Sequence, residues 1–211
     1  MGFLKKIQTI SVNTRGFQIT ARSMFLTKIK DYFSHNRNFF IKKVKTYNTD
    51  DLVEEIQAEN DDYDDTNKTK EQIIDDYIDS RFEWLAAFFR YTGKVDGSQI
   101  HLYRKMSILD IDKYISDVKT NKKSLGIYWT WNKESAEDWS FWTEKGPKYI
   151  FHGITSIDNI NYKDTLEALL NPVLGSAEQE IQLKKNSKIN VISIYIMEER
   201  KEKEINIQGR V

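Results

Sequence analysis

"GSAEQEIQL", Gly175 to Leu183, sets two glutamates two residues apart at the head of an apolar run. In a strand, side chains alternate between faces, so Glu178 and Glu180 are expected to point the same way. Like charges side by side repel, and each carboxylate favours protonation of the other. Such a pair needs either a solvated edge or a chemical role. Which of the two applies depends on the segments upstream, and those also decide the fold class.

The first of these segments is "LYRKM", with Arg104 inside an otherwise apolar strand pattern. The second is "GIYWTWNKESAEDW", an aromatic strand carrying Tyr128, Trp129 and Thr130 and running into Asn132, a suitable N-cap for a helix. Further strands are expected at "KYIFHGI" and "INVISIYIM". A helix is expected over "SILDIDKYISDV", with Ser107 and Asp110 as its capping box. The N-terminal part has a different texture. "IQTISV-NTRG-FQITARS" alternates as a hairpin would, whereas Met24 to Lys45 follows helical spacing with a break near "SHNRN". "DDLVEEIQAE" is a short helix with acids in its first turn, and Asn60 to Lys70 is a polar loop. Thr69 and Gln72 then open a strong helix with apolar Ile73, Ile74, Tyr77, Ile78, Phe82, Leu85 and Phe89, and Gly93 is placed to close it. The expectation is an α+β chain, helical over 1–91 and mixed over 92–211.

Composition narrows the chemistry. With no cysteine among 211 residues, disulfides, thiolate metal sites and a cysteine nucleophile are excluded. His35, His101 and His152 are set apart with no partner at metal-ligand spacing, and no phosphate-binding glycine loop or nucleophile elbow is present, so no metal is expected. No apolar stretch reaches the length of a membrane span, and the apolar part of "MGFLKKIQTI" is short for a secretory signal. A cytoplasmic protein without membrane contact is the expectation.

The formal net charge of zero hides a segregation. Met1 to Lys45 holds ten Lys or Arg against one acid, and Thr49 to Ser80 holds thirteen Asp or Glu against two lysines. The simple reading is a basic face packed near an acidic one. The sharper reading takes Phe33, Phe39 and Phe40, interleaved with Lys28, Lys30, Lys42, Lys43 and Lys45, as a platform for single-stranded nucleic acid.

Taken in order, "LYR", "WT…A…W" and "EQEI" resemble the arginine–serine–glutamate class of ADP-ribosyltransferases over roughly Gln99 to Met197. The resemblance implies a two-sheet β core of mixed or antiparallel strands and NAD as substrate. It matches Arg104 to the arginine that grips an NAD phosphate, a task suited to a bidentate guanidinium. Thr130 matches the hydroxyl that orients the catalytic glutamate, although the class shows Ser-Thr-Ser where this chain has Trp129-Thr130-Trp131. Glu180 matches the catalytic glutamate and Glu178 the residue that helps the acceptor lose its proton. Tyr128 and Trp129 are candidates to stack on NAD, and "SFWTEKGPK" and "LLNPVLGSA" become loops bordering the site. The implied activity is mono-ADP-ribosylation of a macromolecule, either a protein arginine or a nucleic-acid base. By analogy the chain is toxin-like or a phage-defence effector held by an inhibitory protein. The competing expectation is a non-catalytic interaction protein on a degenerate transferase fold.

Overall fold

The computed structural model describes residues 15–120, 124–138, 146–173, 179–198 and 201–206. Helix α1 (Arg15–His35) and helix α2 (Arg37–Val44) meet at Asn36. The break thus falls inside "SHNRN", as the sequence suggests. The expected hairpin does not form, because "FQITARS" lies within α1. Phe25, Ile29 and Phe33 recur every four residues and are all buried. A helix anchored by that stripe extends backward at one hydrogen bond per residue, since propagation costs far less than nucleation. The first arm of the expected hairpin lies outside the described residues.

Helix α3 (Thr49–Glu59) is capped by Asn48, whose side chain accepts from Asp50 N–H. Helix α4 (Lys70–Thr92) carries the reciprocal box foreseen from sequence: Gln72 N–H donates to Thr69 Oγ1 at 3.3 Å, and Thr69 N–H donates to Gln72 Oε1 at 2.8 Å. Gly93 ends α4 with its N–H on Phe89 O, in extended rather than left-handed conformation. Its lack of a side chain matters through space, since a Cβ there would stand 2.6 Å from the Phe89 ring.

Seven strands follow: β1 (Val95–Asp96), β2 (Gln99–Ser107), β3 (Tyr128–Thr130), β4 (Lys148–Ser156), β5 (Glu180–Gln182), β6 (Asn190–Glu198) and β7 (Lys201–Asn206). Every pairing is antiparallel and the order is β5-β3-β2-β4-β6-β7, with β1 on β2. The described strands form one sheet, where two were expected. Helix α5 (Ile111–Lys119) follows β2, helix α6 (Lys133–Asp138) follows β3, and helix α7 (Tyr162–Leu169) follows β4. Asp110 alone caps α5, accepting from Lys113 N–H at 2.9 Å. Ser107, the other half of the expected box, is the last residue of β2, because the strand runs one residue further than the apolar pattern implies.

Helices and sheet share one apolar core. Phe25 and Phe89 lie 4.5 Å apart, and Trp131, fully buried, packs on Phe89 and donates its indole N–H to Thr92 Oγ1. A charge is sealed in as well. Arg81 is 2% exposed, with Nη1 on Glu55 and Glu59 at 2.8 and 2.6 Å and Nε on Leu169 O. A buried ion of this kind persists only when its partners compensate the lost hydration. The charge segregation is resolved locally as well: Arg37 pairs with Asp75 and Lys45 with Glu71, which ties basic α2 and its flanks to acidic α4.

Candidate functional site

The three segments singled out in the sequence are neighbours in the sheet, in the order β5–β3–β2. Thr130 is paired with Tyr103 on one side and with Glu180 on the other. Directly paired residues of antiparallel strands face the same way, so Tyr103, Thr130 and Glu180 form a row on one face. Arg104, one residue on, falls by alternation on the opposite face with its partner Phe151 and the Tyr114 ring of α5.

Arg104 is half-buried, and its Nη1 donates to Tyr128 O at 2.9 Å. Beside it Gly126 has φ +77°, and a Cβ there would stand 2.4 Å from Nη1. The glycine therefore serves twice, by taking a left-handed turn and by leaving room for the guanidinium. Burial pushes the Arg104 pKa down, while Tyr114, Glu180 and Tyr128 act in the other direction. The guanidinium stays charged, so a fixed cation lies within reach of the Glu180 field.

Glu180 opens β5 and is half-buried. The residue before it, Gln179, has φ 41°, so the period-two alternation that would align the two glutamates stops there. Glu178 itself lies outside the described residues. Gln179 is buried, and its Oε1 accepts from Ser135 Oγ at 2.8 Å, which in turn accepts from Asn132 Nδ2 at 3.0 Å. Asn132 also caps α6, accepting from Glu134 N–H. The middle residue of Glu-x-Glu is thus bolted to the start of α6, a role the sequence reading did not assign. On its other side β5 is held by α7: Gln182 N–H donates to Thr165 Oγ1 at 3.0 Å, and Asn161 N–H donates to Gln182 O.

Two expected roles change. Among the described residues the Thr130 hydroxyl hydrogen-bonds Asn132 N–H at 3.2 Å and not Glu180. Trp129 is 2% exposed, donates to Gly126 O and belongs to the core, so its ring offers no face to a nucleotide. Tyr128, 43% exposed, is the aromatic left at the surface. In "LLNPVLGSA" Val173 is exposed, while 174–178 lie outside the described residues, as does most of "SFWTEKGPK".

The sheet also joins groups the sequence leaves apart. His101 Nδ1 lies 2.8 Å from His152 Nε2, His101 Nε2 lies 2.7 Å from Asp96 Oδ2, and Ser193 Oγ lies 3.4 Å from His152 Nδ1. With both rings neutral, one direction satisfies every atom: Ser193 donates to His152, His152 to His101, and His101 to Asp96. Burial lowers the His101 pKa. Burial first, then the charges of His101, Lys94 and Lys133, bring His152 to about 4. No signal in the sequence joins them: the pairing of β2 with β4, which sets Tyr103 opposite His152, appears only in the fold.

No protein-family model matches the chain, and comparison with curated proteins and with solved structures finds no match. Among the described residues no helix is long and apolar enough to cross a membrane, and no group of three or more metal-ligating side chains is placed to hold an ion.

Proposed function

We propose that the chain is an NAD-dependent mono-ADP-ribosyltransferase that modifies a protein acceptor. The observation that carries this reading is the register placing Glu180 beside Thr130, with the Arg104 strand next in the sheet. In the transfer, the bond between the nicotinamide nitrogen and ribose C1′ breaks and nicotinamide leaves with the bonding pair. A new bond forms from an acceptor nitrogen to C1′, and that nitrogen gives up its proton. Glu180 supplies a fixed carboxylate where positive charge develops on the ribose. Arg104 stands on the other face of the sheet, with its guanidinium reaching Tyr128 O on β3, and is the cation proposed for a phosphate; Tyr128 supplies an exposed ring. Glu178 keeps its proposed role as the group that takes the acceptor proton.

A protein acceptor is favoured over a nucleic acid because the expected base-stacking platform is largely core. Phe33 and Phe40 are buried, and Lys28, Lys43 and Lys45 are engaged by Asp158, Glu167 and Glu71. The toxin-like role and an inhibitory partner remain part of the proposal by analogy with the transferase class.

The test is NAD labelled in its adenylate half, incubated with the protein and cell lysate and then digested separately with protease and nuclease. The label is expected to be released by protease only. Glu180→Gln is expected to lower nicotinamide release by about a hundredfold or more, and Glu178→Gln to spare release and lose transfer. A second reading, a non-catalytic interaction protein, is favoured by the Thr130 hydroxyl bound to Asn132 and by Arg104 on the opposite face. Wild-type protein that releases no nicotinamide, with or without lysate, decides for that reading.

A further inference from the structure

Away from the sheet, α3, α4 and the loop between them enclose an open groove of about 810 Å³. It arises from the two-sided patterning of α4. Ile74, Tyr77, Ile78, Arg81, Leu85 and Phe89 face the core, while the positions between them form a second stripe that lines the groove. Trp84 and Phe88, one turn apart, stack with ring centroids 5.0 Å apart and planes within 6°. Tyr91, 57% exposed, and Tyr63 extend the aromatic lining.

The charged lining is mainly acidic: four carboxylates (Glu59, Asp76, Asp79 and Glu83) face one cation, Lys68. Lys68 lies over the Tyr63 ring at 4.1 Å and Arg81 over the Trp84 ring at 4.7 Å, which leaves the Phe88 ring without a cation of the chain over it among the described residues. Glu59 is engaged by buried Arg81, and Asp76 by Lys68 at 3.0 Å. Asp79 and Glu83 are exposed, one turn apart on α4, and no cation among the described residues pairs with either. Rings flanked by carboxylates bind guanidinium and ammonium groups through cation–π and charge-assisted contacts together, and they repel phosphate.

We infer that this groove docks a basic, arginine- or lysine-bearing peptide segment of a protein partner. Length argues for a peptide over a small cation. From Asp76 to Tyr91 the helix rises about 22 Å, the span of six or seven extended residues. Charge complementarity argues for its sign. The inference stands independently of the transferase reading, because none of its residues belongs to the β5–β3–β2 site.

The experiment uses the full chain and a fluorescein-labelled Gly/Arg nonapeptide, with binding read by anisotropy at physiological salt. The expected result is saturable binding that falls tenfold or more in Asp79→Lys/Glu83→Lys and in Trp84→Ala. A charge-matched control, Asp31→Lys/Asp112→Lys, reverses two exposed acids remote from the groove and is expected to bind as wild type does. Unchanged circular dichroism and thermal midpoint in the two double variants show that they remain folded. Equal losses in the groove and control variants mean only diffuse attraction and overturn the inference. Free arginine amide binding as tightly as the nonapeptide overturns the peptide assignment. A single-stranded RNA oligomer bound more tightly than the peptide, and released by the same groove substitutions, overturns the sign of the partner.

Discussion

Gly126 is the residue on which the position of Arg104 turns. At φ +77° an L side chain costs about 1–2 kcal/mol, and its Cβ would also enter the space of the guanidinium. Gly126→Ala is therefore expected to displace Arg104 as well as to destabilise, and, on the proposed transferase reading, to weaken NAD binding beyond what its loss of stability explains. Titration of NAD against the variant at a temperature where circular dichroism shows it folded checks this, and unchanged affinity there would separate Arg104 from NAD. At this scale, what could be read in advance was local. Thr69 with Gln72, Asp110 and Asn132 cap helices within three residues of themselves, and each appears in the structure doing so. Gln179 was illegible for the opposite reason. Its burial depends on Ser135, forty-four positions away, and its left-handed backbone interrupts a stretch that otherwise reads as strand.

Among the strands of the candidate site, β5 is the least self-sufficient, with three residues and a place at the edge of the sheet. Edge strands of that length are held by what covers them, and here α7 does so through Thr165, fully buried beneath Gln182. Thr165→Val keeps the shape but leaves Gln182 N–H without its acceptor, a loss of about 1–3 kcal/mol for a buried group. Thr165→Val is expected to lower the urea midpoint accordingly and to speed amide exchange at Gln182 more than at residues in the middle of β2. Uniform acceleration across both strands would mean that α7 does not hold β5 in particular. Most elements were foreseeable because their apolar periods are long, as in α4 and β4. The Phe17–Ser23 segment was misread because seven alternating residues fit either period, and the stripe that settles it begins only at Phe25. The single sheet was not foreseeable, since which strands pair across gaps of tens of residues is a property of packing.

For the molecule as a whole, two polar clusters join elements far apart in the sequence, and the histidine cluster sets a pH dependence. Arg81 of α4 is paired with Glu55 and Glu59 of α3. The Asp96–His101–His152–Ser193 chain crosses the sheet from β1 to β6, and protonating both imidazoles would set two N–H donors against each other between His101 and His152. The sign of its pH dependence follows from the lowered pKa. His152 takes its proton near pH 6.5 when unfolded and near 4 when folded. Between those values the unfolded chain binds more protons, so stability is full above about pH 6.5 and declines as pH falls toward 4. The most this one group can contribute is about 3 kcal/mol, from the size of that gap. Urea unfolding at a series of pH values from 7.5 to 4.5 is expected to show midpoints that fall steadily below pH 6.5. His152→Gln, which keeps a hydrogen-bonding side chain but cannot titrate, is expected to flatten that decline while lowering stability at pH 7.5. A variant whose midpoint falls with pH as steeply as the wild type would place the acid sensitivity elsewhere, in the carboxylates of the acidic segment.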